Sequence, residues 1–224
     1  MTVLVYWLAR GVASGEPLIT LWAATRNSVY ISGLASLITA VCSVPVAALI
    51  VRYPSVLSRI VECLSFTGYA LPGVVVALSL VFFGATFASP MYQTIWLLLL
   101  AYLVLFFPAA LSTTRTSLIQ ISPRLEEAAR GLGRTSLQTM YAVTIPLMRS
   151  GMLAGAALVF LLTMKELPAT LILGPLEFKT LATATWSASS EAFFAQAAMP
   201  ALILILISSI PMAFLMLRGE ESRS

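Results

Sequence analysis

Ser122-Pro-Arg-Leu-Glu-Glu-Ala-Ala-Arg-Gly-Leu-Gly133 is the stretch on which the reading of this chain turns. Ser122 is a helix-capping residue, and Pro123 suits a first helical position because the N–H it lacks would have no partner there. Glu126 and Glu127 fall near that end, where the helix dipole favours negative charge. Ala128 and Ala129 are strong helix formers, and Gly133 can close the helix in a left-handed conformation. Thr135-Ser-Leu-Gln138 then has the pattern of a capping box. It predicts a second short helix running to about Val143 and closed by Pro146. The product is a compact helix–turn–helix with a small-residue surface and charges of both signs. It belongs to a polar segment, residues 112–150, far longer than a connection between two helices requires. On the residues alone it is either a docking surface for a soluble partner or a solvated amphipathic loop on a lipid surface.

Outward from this segment the chain becomes apolar. Hydrophobic residues make up 59% of the 224 and charged residues 10%, against about 25% charged in ordinary soluble domains. A soluble fold of this size could not hide that much apolar surface. Five stretches stand out: residues 28–51, 64–88, 92–111, 151–173 and 198–217. Each is long enough to cross ~30 Å of hydrocarbon as a helix. None alternates as a membrane strand would. The fold class is therefore all-α, a polytopic membrane helix bundle of five full spans. Residues 1–9 are apolar but too short to span, and read as a partial N-terminal helix of a fragment or of one half of a longer protein. The expected organisation is residues 1–27 as that partial helix and an external segment, 28–217 as the transmembrane domain including the loop 112–150, and 218–224 as a tail.

Sidedness follows from arginine placement. One set of connections holds Arg52, Arg59, Arg115, Arg124, Arg130, Arg134, Arg149, Arg218 and Arg223, and the other only Arg10, Arg26 and Lys179. Positive charge collects on the cytoplasmic side, which puts loop 112–150 and the C-terminus in the cytoplasm of a multi-pass inner-membrane protein. The net charge of +4 is then a property of these loops, and no nucleic-acid partner is expected. The sequence has no histidine, and its two cysteines, Cys42 and Cys63, have no metal-ligand spacing. With no nucleophile–base set there is no catalytic residue to name, and neither a metal site nor a cofactor is expected in this chain. Small residues recur every four positions at Ser32, Ser36 and Ala40, and again at Gly151 and Gly155, faces that let helices approach closely in lipid.

Glu127-Ala128-Ala129, three residues, Gly133, nine residues and Val143-Thr144-Ile145-Pro146 resemble the signature of binding-protein-dependent ABC transporter permeases. Val143 and Ile145 are conservative departures from its final I-x-L-P. The resemblance covers about residues 28–217 and implies the transmembrane domain of a type I importer. In that family such a loop forms coupling helices seated in a groove of an ATPase subunit, so Glu127, Ala128, Ala129, Gly133 and Pro146 become the expected docking residues. Gly133 would serve a turn that a side chain would obstruct. The implied partners are ABC ATPase subunits, a second permease module (fused or separate), a periplasmic substrate-binding protein and the lipid bilayer. No G-x-x-x-x-G-K-[ST] is present, as expected where ATP hydrolysis resides in another chain.

A second motif lies inside the fourth apolar stretch, at Lys165-Glu-Leu-Pro168. Ionisable groups cost roughly 2.5–3.5 kcal/mol each at the centre of a membrane helix, and Pro168 loosens the helix beside them. Lys165, Glu166 and Pro168 are candidates for a pathway or gate. The alternatives are a buried structural ion pair, or groups that snorkel to water. The string Lys-Glu-Leu-Pro-Ala-Thr-Leu-Ile-Leu173, followed by Gly174-Pro175 and Thr180-Leu-Ala-Thr183, is similar to the ferric-iron branch of the same family, in particular its C-terminal module. Permeases for thiamine, sulfate, molybdate, polyamines or phosphonates share the docking signature. Outside the family, an ion-coupled secondary transporter using Lys165 and Glu166 would explain the charges but not the loop.

Overall fold

A computed structural model describes residues 6–7 and 18–221, and of residues 18–20, 212 and 214–221 the backbone only. Most of residues 1–9, and residues 222–224 of the expected tail, lie outside the described residues. The described chain is helical, with no strand among those residues. Its helices are α1 (Leu18–Arg52), α2 (Val56–Phe66), α3 (Gly73–Phe87), α4 (Ile95–Ile119), α5 (Pro123–Gly131), α6 (Ser136–Thr139), α7 (Ile145–Met164), α8 (Pro168–Leu173), α9 (Leu181–Ser190) and α10 (Phe194–Glu221).

Four helical segments are long and apolar enough to cross a membrane, or five if the interrupted pair α2–α3 counts as one span. Three of the five expected spans differ in form. The first begins earlier, because Arg26 and Asn27 end the apolar run without ending the helix: the Asn27 side chain donates to the Lys179 carbonyl at 3.1 Å. The second is not one helix. A 3-10 turn, Thr67–Tyr69, and then Pro72 separate α2 from α3, since a proline drives the residue before it out of the helical region. The fourth ends at Met164 rather than at Leu173. Pro168 cannot donate to a carbonyl four residues back, and α8 starts afresh with Pro168 at its first position.

The chain forms two compact units. The first takes residues 1–35, 72–104 and 160–224. Its core joins Ala24, Met164 and Leu181, with Phe160, Ile203, Leu204 and Ile207 against them. Ser28 Oγ accepts from the Leu181 N–H at 2.7 Å, fixing the start of α9 on α1. Tyr102 and Thr170 share a buried hydroxyl hydrogen bond of 2.6 Å that ties α4 to α8.

The second unit takes residues 36–71 and 105–159. Val44, Ala47, Ala48 and Ile50 of α1 pack with Leu111, Leu118, Ile121 and Met148. Ser43 and Thr114 share a hydrogen bond of 2.9 Å inside this layer. The two glycines singled out by spacing are contact points: a Cβ at Gly151 would stand 2.8 Å from the Thr113 carbonyl oxygen, and one at Gly155 3.1 Å from Ala110 Cα. Helices α4 and α7 therefore approach to a separation that only glycine permits. Of the small residues on α1, Ser36 and Ala40 are buried in this unit, and Ser32 is buried in the first.

Candidate docking site

The helix–turn–helix forms as its residues predict, with one local exception. Pro123 opens α5 and Glu126 lies in its first turn, but the Ser122 side chain makes no capping hydrogen bond. The end of α5 is a Schellman closure: the Arg134 N–H donates to Ala129 O at 3.2 Å and the Gly133 N–H to Arg130 O at 2.9 Å. Gly133 sits at φ +87°, and nothing lies within 4 Å of the position a Cβ would take. The left-handed backbone predicted from sequence is thus what disfavours a side chain here, and no neighbouring residue stands in its way. Thr135 and Gln138 then close the capping box, each side chain bonding the other's backbone N–H at 3.3 and 3.0 Å.

Past that point the chain departs from expectation. The helix does not end near Val143, and Pro146 does not close it. A π turn, Met140–Thr144, leads straight into α7. The π turn shifts the hydrogen-bond ladder by one residue, which lets a helix take up a proline that cannot donate and whose ring crowds the preceding turn. Pro146 is an exposed residue within a continuous helical segment, Ser136–Met164.

Of the signature residues, Glu127, Ala128 and Gly133 are exposed, and Ala129 is buried against the unit. Beside them stand large apolar side chains in the open: Leu125, Leu137, Tyr141 and, at 86% exposure, Leu132. Arg134, Leu137, Gln138, Tyr141 and Ala142 line a shallow depression on the same segment. Exposed leucines grouped with a glutamate and arginines make an amphipathic surface able to bury apolar area against a protein and to read charge at its rim.

Sequence reasoning missed what holds this surface in place. The holding contact is an ion pair of Glu126, the neighbour of the signature glutamate Glu127. Glu126 lies 3.1 Å from the Arg52 guanidinium, with side-chain exposures of 13% for the arginine and 8% for the glutamate. The same guanidinium donates to Leu118 O at 3.4 Å, in the last turn of α4, and to Ile121 O at 3.0 Å, just past its end. Thr144 Oγ1 completes the cluster, donating to Glu126 Oε1 at 3.1 Å. The available signal was weak: a basic residue in the last turn of α1 and an acidic one in the first turn of α5, with nothing in the pattern to join positions so far apart.

In the first unit, the Lys165–Pro168 motif occupies a helix break. Lys165 is exposed and forms no ion pair with Glu166, which removes the buried structural pair. Glu166 caps α8 instead, its Oε1 accepting from the Ala169 N–H at 3.1 Å while its carbonyl accepts from Thr170 Oγ1 at 2.6 Å. A cavity of about 460 Å³ lies nearby, lined by Thr170, Lys179, Trp186, Glu191 and Gln196 among others. Lys165, Glu166 and Pro168 are not in its lining. Among the described residues, no group of three or more His, Cys, Asp or Glu side chains converges as metal ligands would.

The arrangement of helices is that of a solved ABC transporter subunit. A chain in inward-facing structures of the MetNI methionine ABC transporter superposes with a TM-score of 0.68 at 15% identity, over 95% of this chain and 94% of that one. At that identity the likeness speaks for the fold alone. Residues 34–217 match the binding-protein-dependent transport system inner membrane component family, and the chain belongs to that family. The Fe(3+)-transport system permease protein FbpB 2 of Haemophilus influenzae is 40% identical over 215 residues, which are 95% of this chain and 42% of that protein. The chain thus spans less than half the length of that relative. PhnV of Salmonella typhimurium, assigned to 2-aminoethylphosphonate transport, is 29% identical over 191 residues, 85% of this chain and 72% of that protein.

Proposed function

We propose that this chain is a permease module of an ATP-driven importer for ferric iron, forming part of the translocation pathway and drawing its energy from a separate ATPase. The observation that carries the coupling half is the α5–α6 surface, where Glu127, Ala128 and Leu132 stand exposed on a segment whose ends are pinned by a Schellman closure and a capping box. Large apolar side chains held rigid in the open have a physical reason to exist where a partner covers them. In this reading the loop and the C-terminus face the cytoplasm, ATPase subunits seat on the loop, and a periplasmic binding protein delivers cargo from the other side. A second permease module, on the same polypeptide or another, completes the pathway.

The cargo assignment rests on the identity shared with the ferric permease of Haemophilus influenzae and on the Lys165–Leu173 string. The test is uptake of radiolabelled ferric iron by cells that lack their own ferric importer and co-express this chain with its ATPase and binding protein. ATP-dependent accumulation is expected. Accumulation of 2-aminoethylphosphonate or molybdate in its place would overturn the cargo assignment and leave the coupling assignment standing.

A further inference from the structure

The Arg52–Glu126–Thr144 cluster belongs to neither the exposed docking surface nor the helix break. It joins four pieces of chain. Arg52 is the last residue of α1, its guanidinium covers the carbonyls of Leu118 in the last turn of α4 and of Ile121 just past it, Glu126 is in the first turn of α5, and Thr144 is in the π turn that leads into α7. The arginine Nε donates to both carboxylate oxygens, at 3.1 and 3.2 Å, while Nη2 lies 3.1 Å from Oε1 and donates to the two carbonyls, charge-assisted contacts that hold the guanidinium from two sides. Glu126 projects inward from α5 while its neighbours Glu127 and Ala128 project outward, so one turn of helix carries a partner-facing side and an anchored side.

We infer that Glu126 and Arg52 are positioning residues that make α5 and the adjoining ends of α1 and α4 one rigid body, so that force applied to the docking surface reaches the membrane helices without being lost in the loop. The inference rests on the proposed docking of an ATPase. It deepens that reading by naming the strut behind the surface. Glu126→Gln keeps the size and an acceptor for Thr144 but removes the charge that holds the guanidinium; Thr144→Val removes the second tie alone.

The experiment places spin labels at Tyr53→Cys and Arg124→Cys, both exposed positions, with Cys42 and Cys63 replaced by serine. Distances are read in nanodiscs for the permease alone, for its complex with the ATPase, and for the vanadate-trapped complex. With Glu126 intact, a single narrow distance is expected in every state, unchanged by trapping. With Glu126→Gln, loss of that narrow distribution and a shift on trapping are expected, and Thr144→Val gives a smaller broadening. A merely structural role would broaden the distribution equally with and without trapped nucleotide. The inference is overturned if Glu126→Gln keeps the narrow, nucleotide-independent distance, if it broadens without responding to trapping, or if the intact protein's distance itself moves on trapping. Should Glu126→Gln fail to fold, the Thr144→Val distances decide in the same way. Failure of the ATPase to bind the intact permease would sink the docking reading and the inference that rests on it, whereas any of the three outcomes above in a permease that binds the ATPase overturns the inference alone.

Discussion

Replacing Gly133 separates backbone geometry from side-chain contact. The residue sits at φ +87° with open space around the position of a Cβ, so Gly133→Ala meets no neighbour within the permease. Its cost is the left-handed conformation itself, roughly 1–2 kcal/mol for a residue with a Cβ. A difference of that size changes the ratio of closed to open Schellman turn by a factor of about 5–30. Asparagine visits the same region more readily, so Gly133→Asn loses less. The turn is local and exposed, and the hydrophobic layer of Val44, Leu111, Leu118 and Met148 lies elsewhere; the melting temperature of the purified chain therefore stays close to that of the parent. The assay is the dissociation constant of the purified ATPase subunit for the permease in nanodiscs. Weakening is expected for alanine, by at most about 5–30-fold because affinity follows the closed fraction of the turn, and by less for asparagine. Binding unchanged by alanine, or weaker with asparagine than with alanine at unchanged expression, would refute the reasoning.

The glycine pair on α7 gives the opposite outcome. Gly151→Val drives atoms into Thr113 and Ser117 and is expected to destabilise the chain by roughly 1–3 kcal/mol, as overpacking does, read as a lower melting temperature in detergent with no specific effect on ATPase binding. Glu166 acts as a cap: Glu166→Leu, which strips the acceptor from the Ala169 N–H, costs about 1 kcal/mol, whereas Glu166→Gln retains the acceptor and most of the stability, both measured by thermal unfolding. Lys165 is exposed and has no ion pair with Glu166, so Lys165→Ala leaves the melting temperature unchanged; a fall in iron uptake at full expression would then assign it to the pathway.

Much of the fold was legible because apolar length is a strong physical signal. The helix–turn–helix was legible for a different reason. Its punctuation is local: Pro123, Gly133 and the Thr135–Gln138 pair each act within a few residues of themselves, and each took its predicted role. Where the reading failed, a longer-range effect won. Pro146 reads as a terminator, yet a π turn carries the helix past it. Arg26 and Asn27 read as a boundary, yet a carbonyl from the far end of the chain supplies the partner for Asn27. Lys165 and Glu166 read as charges within a span, but the helix stops at Met164 and the carboxylate turns to cap the next one. The Arg52–Glu126 contact joins residues 74 positions apart, and no local pattern marks it.

The central claim, that the segment from Pro123 to Thr139 is where a separate ATPase takes hold, is tested most directly by site-specific photo-crosslinking in intact cells co-expressing that ATPase. A photoreactive residue is placed at Ala128, exposed on α5, and at Leu176, exposed in the connection before α9. An adduct with the ATPase subunit from position 128 and none from position 176 is the expected result. An adduct from position 176, or none from position 128 in cells that still accumulate iron, would contradict it.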